Sequence, residues 1–481
     1  MHAASQGATI TSLPRVSEIS LRWACVVVPG FVLYFAPIAG FTESQRHLLA
    51  FFVATIIAFI ARPVAMGLIV LLSITLIALT RTLTPEEVLA GFGNPTVWLI
   101  FSAFFFAQAV TQTQLGLRIA FFFISRLART SLTLGYSLGL SSLVLAPVVP
   151  SDTARGGGII SPIVRNIAHA LGSDPGPSAE RIGAYLTLVA FHCNYAASAM
   201  FLTAMAANPL IAKIARDVAQ VELTWARWAL AALLPGLCTF ALVPWLLHHL
   251  NPPLMKETEH AREFAREKLA AMGPMTCQQG VLLVILLAVL AGWITSPWHG
   301  IDNAVVAMAG VCASILGRVV RWDDLLLNTK AWDVLIWFGA LVMMAEQLST
   351  QGVIGVIFGH AFAHPPGWPW ALSLAALVLM YVYSHYGFAS LTAHITALYP
   401  GFLAAALAEG VPPPLAVLAL AFLSNLNAGI THYGTGSAPI FFTLGFVSQN
   451  NWWLIGFIVS VVNVAIWMGI GPLWWSTVGL W

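Results

Sequence analysis

Apolar stretches of about twenty residues recur along this chain between residues 22 and 476, and they constrain its fold more than any other feature. A helix of that length crosses the roughly 30 Å hydrocarbon core of a bilayer, and lipid offers no partner to an unpaired backbone amide. Hydrophobic residues make up 59% of the 481 residues and charged residues only 8%, about a third of the share usual in soluble domains. The chain is therefore predicted to be an all-α polytopic membrane protein.

Two of the apolar stretches, 132–168 and 369–408, do not fit as simple crossings. Each is interrupted near its middle by small and polar residues, PSDTARGGG in the first and FASLTAHIT in the second. Polar backbone at that depth is tolerated only where it lines a cavity or is buried in protein, so both stretches are predicted to be re-entrant hairpins. The remaining stretches are predicted to cross the membrane at 22–41, 46–61, 63–80, 96–113, 183–212, 223–249, 277–297, 303–320, 332–348, 412–444 and 452–476.

The positions of Lys and Arg test this layout. If the N-terminus is inside and each hairpin returns to its own side, fifteen of the 21 Lys and Arg residues lie inside, five lie outside and Arg155 lies at a hairpin tip. Cytoplasmic enrichment of Lys and Arg is what orients membrane proteins. The chain is therefore predicted to lie in the cell inner (plasma) membrane with a cytoplasmic N-terminus.

Two pairs of similar segments at nearly the same spacing indicate an internal duplication. VWLIFSA at 97–103 and VLIWFGA at 334–340 are 237 residues apart, and the triplets SDT at 151–153 and SLT at 390–392 are 239 apart. Each copy holds five crossings and one hairpin; because five is odd, the second copy is predicted to be inverted, a feature typical of transporters. The predicted organisation is a cytoplasmic tail at 1–21, a first transmembrane helix at 22–45, repeat 1 at 46–250, a cytoplasmic connector at 251–276 and repeat 2 at 277–481.

The first hairpin tip carries Ser151, Asp152 and Thr153 directly after Pro150. A proline there suits a helix start, and the amides at a helix N-terminus suit an anionic group. Small residues in membrane helices often serve close packing, which would explain the glycines that follow but not the charges. The tip is therefore predicted to be part of a binding site, with Arg155, Gly156 and Gly157 supporting it.

The second tip carries Ser390 and Thr392, and each hairpin is followed by a crossing that polar residues interrupt. Two tips that meet two broken helices would form one pseudo-symmetric anion site, lined by hydroxyls, amides and backbone. The broken helices are predicted to contribute Thr203, Asn208, Thr431, Gly434, Thr435 and Gly436, with His394 and His432 in support.

The motif PSDTARGGGIISPI and the stretch from SLTAHITALYPGF to NAGITHYGTGSAPIFF resemble the divalent anion/sodium symporter family over roughly residues 20 to 476. The likeness is to the branch of citrate, tartrate and succinate antiporters and oxoglutarate/malate translocators. It implies an elevator-type homodimer in which the hairpins move against a fixed scaffold. It also implies that the triplets Ser151-Asp152-Thr153 and Ser390-Leu391-Thr392, with Thr203 and Thr435, bind substrate carboxylates. Succinate, malate, oxoglutarate, citrate, tartrate and sulfate all stay open as substrates.

Two residues depart from the family pattern. Leu391 stands where sodium-coupled members have Asn, and its side chain offers no oxygen to a hard cation. We therefore expect exchange of one anion for another, with sodium-coupled symport as the alternative; a bound sodium ion is possible, and proton coupling also stays open. Asp152 also stands where Asn is usual. It is expected to pair with Arg155; protonation and cation binding are the alternatives.

Two other functions need weighing. An intramembrane enzyme would use Ser151 with His192 or His432 as its base, but nothing in such chemistry requires the arrangement to be duplicated. An ion channel would explain the polar tips but not their inverted copy. The histidines near the site match no metal-ligand spacing, so they are expected to donate or accept hydrogen bonds. The chain is thus predicted to be a transporter with no metal or other cofactor, and with no nucleic-acid partner.

Overall fold

The computed structural model describes residues 16–38, 40–353 and 368–481, and the regular elements of this part are helices. Most of the predicted tail at 1–21 lies outside the described residues. Eight of the described helical segments are long and apolar enough to cross a membrane, and four shorter ones are apolar. The prediction of an all-α polytopic membrane protein is confirmed. The helices are α1 Val16–Phe35, α2 Glu43–Ala61, α3 Met66–Leu79, α4 Pro85–Leu89, α5 Pro95–Gln112, α6 Leu115–Leu127, α7 Ser131–Leu145, α8 Ser161–Ala170, α9 Gly183–Met200, α10 Asn208–Ala219, α11 Trp225–Leu250, α12 Glu259–Ala271, α13 Cys277–His299, α14 Asn303–Leu316, α15 Trp322–Leu326, α16 Thr329–Thr350, α17 Trp370–Ser384, α18 Leu391–Ala408, α19 Pro413–Leu426, α20 Ala438–Phe442 and α21 Gln449–Thr477.

The helices pack as two groups. In the first bundle, α1 packs on α2, and α3, α5 and α14 pack with α13 and α16. In the hairpin bundle, α9 is central and contacts α7, α8, α11 and α19, while α17, α18 and α21 surround α19. The two bundles meet where α10 contacts α16, α18 contacts α2 and α11 contacts α13.

Both predicted hairpins have a helix–turn–helix form. The first consists of α7, a turn at 146–152, a wide π-helical turn at Thr153–Ile160 and α8. The second consists of α17, a 3₁₀ turn at His385–Gly387 and α18. Whether either hairpin turns back within a membrane stays a prediction, as does the inversion of the second repeat.

Both predicted helix breaks are present. Helix α9 ends at Met200, Phe201 is extended, and the chain becomes helical again at α10 beside Pro209. In the second half, α19 ends in a 3₁₀ turn at Asn427–Ile430, and α20 begins only at Ala438. All eighteen residues of α9 are buried, including His192 and Asn194. These polar side chains therefore need partners inside the protein.

Some elements were not foreseen from the sequence. Helix α6 is amphipathic and contacts α12, the charged helix of the connector, through a face on which Ala261 and Ala265 are buried. Helix α10 runs seven residues beyond the predicted end of its crossing at 212 and buries Lys213, one of the five Lys and Arg residues counted on the outer side. An amphipathic helix that lies between other helices has no long apolar run for hydropathy to detect.

Candidate functional site: two hairpin turns and the segment 431–437

The two hairpin tips begin their second helices in the same way. The Oγ of Ser151 accepts a hydrogen bond from the backbone N–H of Ala154 at 3.1 Å, and the Oγ of Ser390 accepts one from Ala393 at 3.3 Å. One residue later, the N–H of Arg155 donates to the carbonyl of Ser151, as that of His394 does to Ser390. The serines act as helix N-caps, which explains why the same residue stands at both tips.

Asp152 connects the first tip to the second half of the chain. Its carboxylate is buried and accepts hydrogen bonds from the hydroxyls of Thr435 and Ser437, the latter at 3.0 Å. A Cβ added at Gly436 would collide with the hydroxyl of Thr153, so only glycine lets the two segments approach this closely. Residues from both halves therefore meet at this point.

Arg155 does not pair with Asp152, which corrects the expectation from the sequence. The Arg155 guanidinium is fully buried and directs its N–H groups to uncharged oxygens. Arg155 still interacts electrostatically with Asp152, but without an ion-pair contact. Its acceptors are Asn194 Oδ1 at 3.0 Å, Asn194 O at 2.9 Å, Val149 O at 3.0 Å, Ala204 O at 3.2 Å and Ser198 Oγ at 2.6 Å.

This contact set explains Arg155. The carbonyls of a hairpin turn and of a broken helix have no helical partners, and one planar guanidinium satisfies several of them at once. Arg155 thus joins the first tip to the broken helix behind it. His394 occupies the equivalent place in the second hairpin, where its Nε2 lies 2.9 Å from Ser384 Oγ and its Nδ1 lies 3.5 Å from Asn427.

The segment 431–437, between the second 3₁₀ turn and α20, is contacted from both hairpins. Asp152 of the first hairpin reaches Thr435, while His385 of the second lies 2.7 Å from the carbonyl of Gly434. The Tyr433 hydroxyl donates to the carbonyl of Tyr386 at 3.0 Å. The two hairpin turns are therefore separated by a single short stretch of chain.

Several predicted site residues bind other parts of the protein. Thr203 donates to the carbonyl of Pro147 at 2.6 Å and accepts from the Trp225 indole at 3.1 Å. The Oδ1 of Asn208 accepts from Asn425 at 2.8 Å and so links the two broken helices. The Nδ1 of His432 accepts a hydrogen bond from the indole N–H of Trp453 at 2.9 Å. These side chains therefore stabilise the helices and turns that surround the site.

The remaining predicted residues are two glycines of the first hairpin, two residues at the start of α18, and Thr431. A Cβ at Gly156 or Gly157 would collide with Asn194 or Ile440, so these glycines serve close packing. Leu391 is buried at the start of α18, and Thr392 beside it is half-buried. Thr431 is buried, and its hydroxyl has no hydrogen-bond partner within the described part of the chain.

Two residues of the site were missed from the sequence. Ser437 holds Asp152, and Asn194 binds both Arg155 and, through its amide, the carbonyl of Asp152 at 2.9 Å. A signal existed for Asn194, since Asn194 and Asn425 occupy matching places in α9 and α19, where each helix approaches its break. Ser437 belongs to the motif already singled out, but nothing marked it apart from the threonines.

A multi-pass helical protein with two helix–turn–helix hairpins, two broken helices and a polar site between them has the architecture of a secondary transporter. A profile of the sodium:sulfate symporter transmembrane region matches residues 17–481. The chain therefore belongs to this family of divalent anion/sodium symporters, as its motifs indicated, and it is a transporter and not an enzyme.

Relatives and a solved structure agree with this assignment. YflS of Bacillus subtilis, named as a candidate malate transporter, is 46% identical over 95% of this chain and 96% of its own length. The chloroplastic dicarboxylate transporter 1 of Arabidopsis thaliana is 42% identical over 95% of this chain and 82% of its own. The crystal structure of the YdaH transporter of Alcanivorax borkumensis has a similar fold, with a TM-score of 0.53 over 81% of this chain and 87% of that one, at 16% identity.

Proposed function

We propose that this protein carries dicarboxylates such as malate across the inner membrane by exchanging one anion for another. The observation that supports this most is the convergence of both hairpin turns on the segment 431–437. Relatives at 42–46% identity are named for malate and dicarboxylate transport. Hydroxyls and helix N-termini bind a dianion through hydrogen bonds that can be released again.

A carboxylate at an anion site needs an explanation. Asp152 accepts hydrogen bonds from Thr435 and Ser437 at one carboxylate oxygen and from Thr153 at the other, and it shares a helical turn with the fully buried Arg155. The tip thus carries no net charge, and the hydroxyls of Ser151 and Thr153 stay half-buried beside it. A dianion can therefore approach the tip without facing an uncompensated negative charge.

Sodium-coupled transport is the second candidate, and one group of atoms favours it. The oxygens Thr431 Oγ1, Asn425 Oδ1 and Asn427 Oδ1 are buried around the second break without hydrogen-bond partners among the described residues. Buried oxygens of this kind suit a hard cation. Leu391, at the adjoining tip, favours exchange because it adds no oxygen.

The movement that we propose is of the elevator type, in a homodimer with a cytoplasmic N-terminus. The hairpin bundle holds every residue of the site, and its contacts with the first bundle include α10 with α5 and α16, α18 with α2, and α11 with α13. Moving it as a unit would carry the site from one side to the other while the contacts around Arg155 stay intact. Cross-linking of the intact protein in membranes tests the dimer.

The test is counterflow in proteoliposomes. Vesicles loaded with unlabelled malate are diluted into labelled malate without a sodium gradient, and unloaded vesicles serve as the control. Exchange predicts uptake that depends on loading and is unaffected by sodium. Uptake that requires a sodium gradient and does not depend on loading would instead support sodium-coupled symport. A panel with succinate, oxoglutarate, citrate, tartrate and sulfate then identifies the substrate.

Single variants locate the site. Thr153→Ala and Thr392→Ala each remove one hydroxyl from a tip, and we expect each to weaken substrate binding by about 1–3 kcal/mol, the cost of a stranded buried partner. Thr295→Ala is the matched control, because Thr295 lies on α13 and donates to its own helix. Unchanged affinity in both tip variants would place the substrate elsewhere.

A further inference from the structure

An exposed face continues along the first hairpin away from its tip. Gly158, Pro162, Arg165, Asn166 and His169 are all exposed, and their spacing puts them on one side of the π-helical turn and α8. An exposed arginine is costly against lipid, so such residues usually face water. The exposed face of α8 therefore borders water.

A cavity of about 580 Å³ lies beside the base of this face. It opens on the side of the connector, because α12 packs against α8 and the N–H of Leu254 donates to the carbonyl of Glu180 just past the cavity. The connector side is the predicted cytoplasmic side. The cavity is lined by Arg165, Asn166, His169, Asp174, Thr443 and Phe446, with Pro175 and Leu444.

The opposite wall leads from the cavity to the substrate tip. Gly436, Pro439 and Thr443 are exposed and follow one another by three and four residues along the segment 431–437 and α20. Gly436 lies against Thr153 at the tip, and Ile440 lies against the backbone of Gly157. We refer to the exposed strip of α8 and α20 that lies between the cavity and the tip as the groove.

Arg165 supplies the permanent positive charge of the cavity lining. His169 and Asp174 lie 2.8 Å apart and offset one another when His169 is protonated. Within the described part of the chain, the side chain of Arg165 has neither a hydrogen bond nor an ion pair. Arg165 is twelve residues beyond Thr153, which corresponds to roughly 15 to 18 Å along the helix axis. It is too far from the tip to touch a bound substrate.

We propose that Arg165 is a capture residue, which draws dianions into the groove from the connector side and sets the apparent affinity on that side without contacting the bound substrate. The proposal rests on the proposed anion transport. A charge that lines a cleft raises the local concentration of an oppositely charged ligand and its rate of entry. Arg165 therefore acts on the KM for entry and leaves the maximal rate of transport unchanged.

The first test measures the electrostatic potential and requires no transport. Asn166→Cys is introduced into a full-length chain without its native cysteines, and its reaction rates with an anionic and a cationic methanethiosulfonate are compared. We expect Arg165→Gln to lower the anionic-to-cationic rate ratio about three- to tenfold, the effect of one nearby unit charge, and Arg266→Gln on the connector to leave it unchanged. High salt shrinks the difference. An unchanged ratio in Arg165→Gln overturns the proposal.

The second test measures malate uptake into inside-out membrane vesicles, whose outer face is the connector side. We expect Arg165→Gln to raise the KM about three- to tenfold and to leave the maximal rate unchanged. Arg165→Lys should keep the KM near the wild-type value, and Arg266→Gln should match the wild type in both quantities. An Arg165→Gln variant with wild-type KM refutes the capture role. In a different outcome, the wild type transports no dicarboxylate while Arg165→Gln still lowers the rate ratio in the first test. That result would refute the proposed function and leave the positive potential of the cavity supported.

Discussion

The contacts of Arg155 lead to a quantitative prediction. Its guanidinium donates five hydrogen bonds, to oxygens from the first hairpin turn, from α9 and from the first helix break. Arg155→Lys supplies at most three donors from one nitrogen, so at least two of the five hydrogen bonds are lost. Each stranded group costs about 1–3 kcal/mol, which gives roughly 2–6 kcal/mol for the variant. Arg155→Met should cost more, because it removes all five hydrogen bonds.

The measurement combines thermal unfolding of the purified protein with hydrogen exchange. We expect Arg155→Lys to lower the melting temperature, and to speed amide exchange around Val149 and Ala204 on both sides of the guanidinium, because local opening becomes cheaper. Arg266→Lys, in the exposed face of α12, is the matched control. Arg155→Lys with wild-type melting and exchange at both sites would show that the guanidinium does not hold the tip to the broken helix.

Three further predictions follow from neighbouring contacts. Asp152→Asn replaces charge-assisted hydrogen bonds by neutral ones, so we expect a loss of about 1–3 kcal/mol in unfolding free energy, and an unchanged melting curve would contradict it. Gly436→Ala forces a Cβ against Thr153, and we expect counterflow to fall at least tenfold with little change in expression; wild-type counterflow would argue against the close approach. Lys213 of α10 lies 3.2 Å from Glu346 of α16, across the two bundles. We therefore expect Lys213→Glu to slow counterflow and the added change Glu346→Lys to restore part of the rate. A double variant no faster than Lys213→Glu alone would mean that the pair does not couple the bundles.

The sequence was sufficient for the membrane class and for the motifs because both depend on local properties. The length of an apolar run reports a crossing directly, and Ser151 and Ser390 could be paired because their triplets are 239 residues apart, close to the 237 of a second matching pair of segments. Each serine then takes the same capping position in the structure, since a helix N-cap depends on residues only three positions away. The two breaks, next to Pro209 and Pro439, were likewise visible from local chemistry.

The partners of the charged side chains were decided by the tertiary structure alone. Arg155 is close enough in sequence to pair with Asp152, yet it turns to carbonyls 39 and 49 residues away, and Asp152 turns to hydroxyls more than 280 residues away. A buried guanidinium is stabilised by whichever oxygens the packed helices leave without partners, and those oxygens are exposed only after α9 and the hairpin have come together. Sequence spacing could identify which residues belong to the site, but which atoms face one another depends on how distant helices pack.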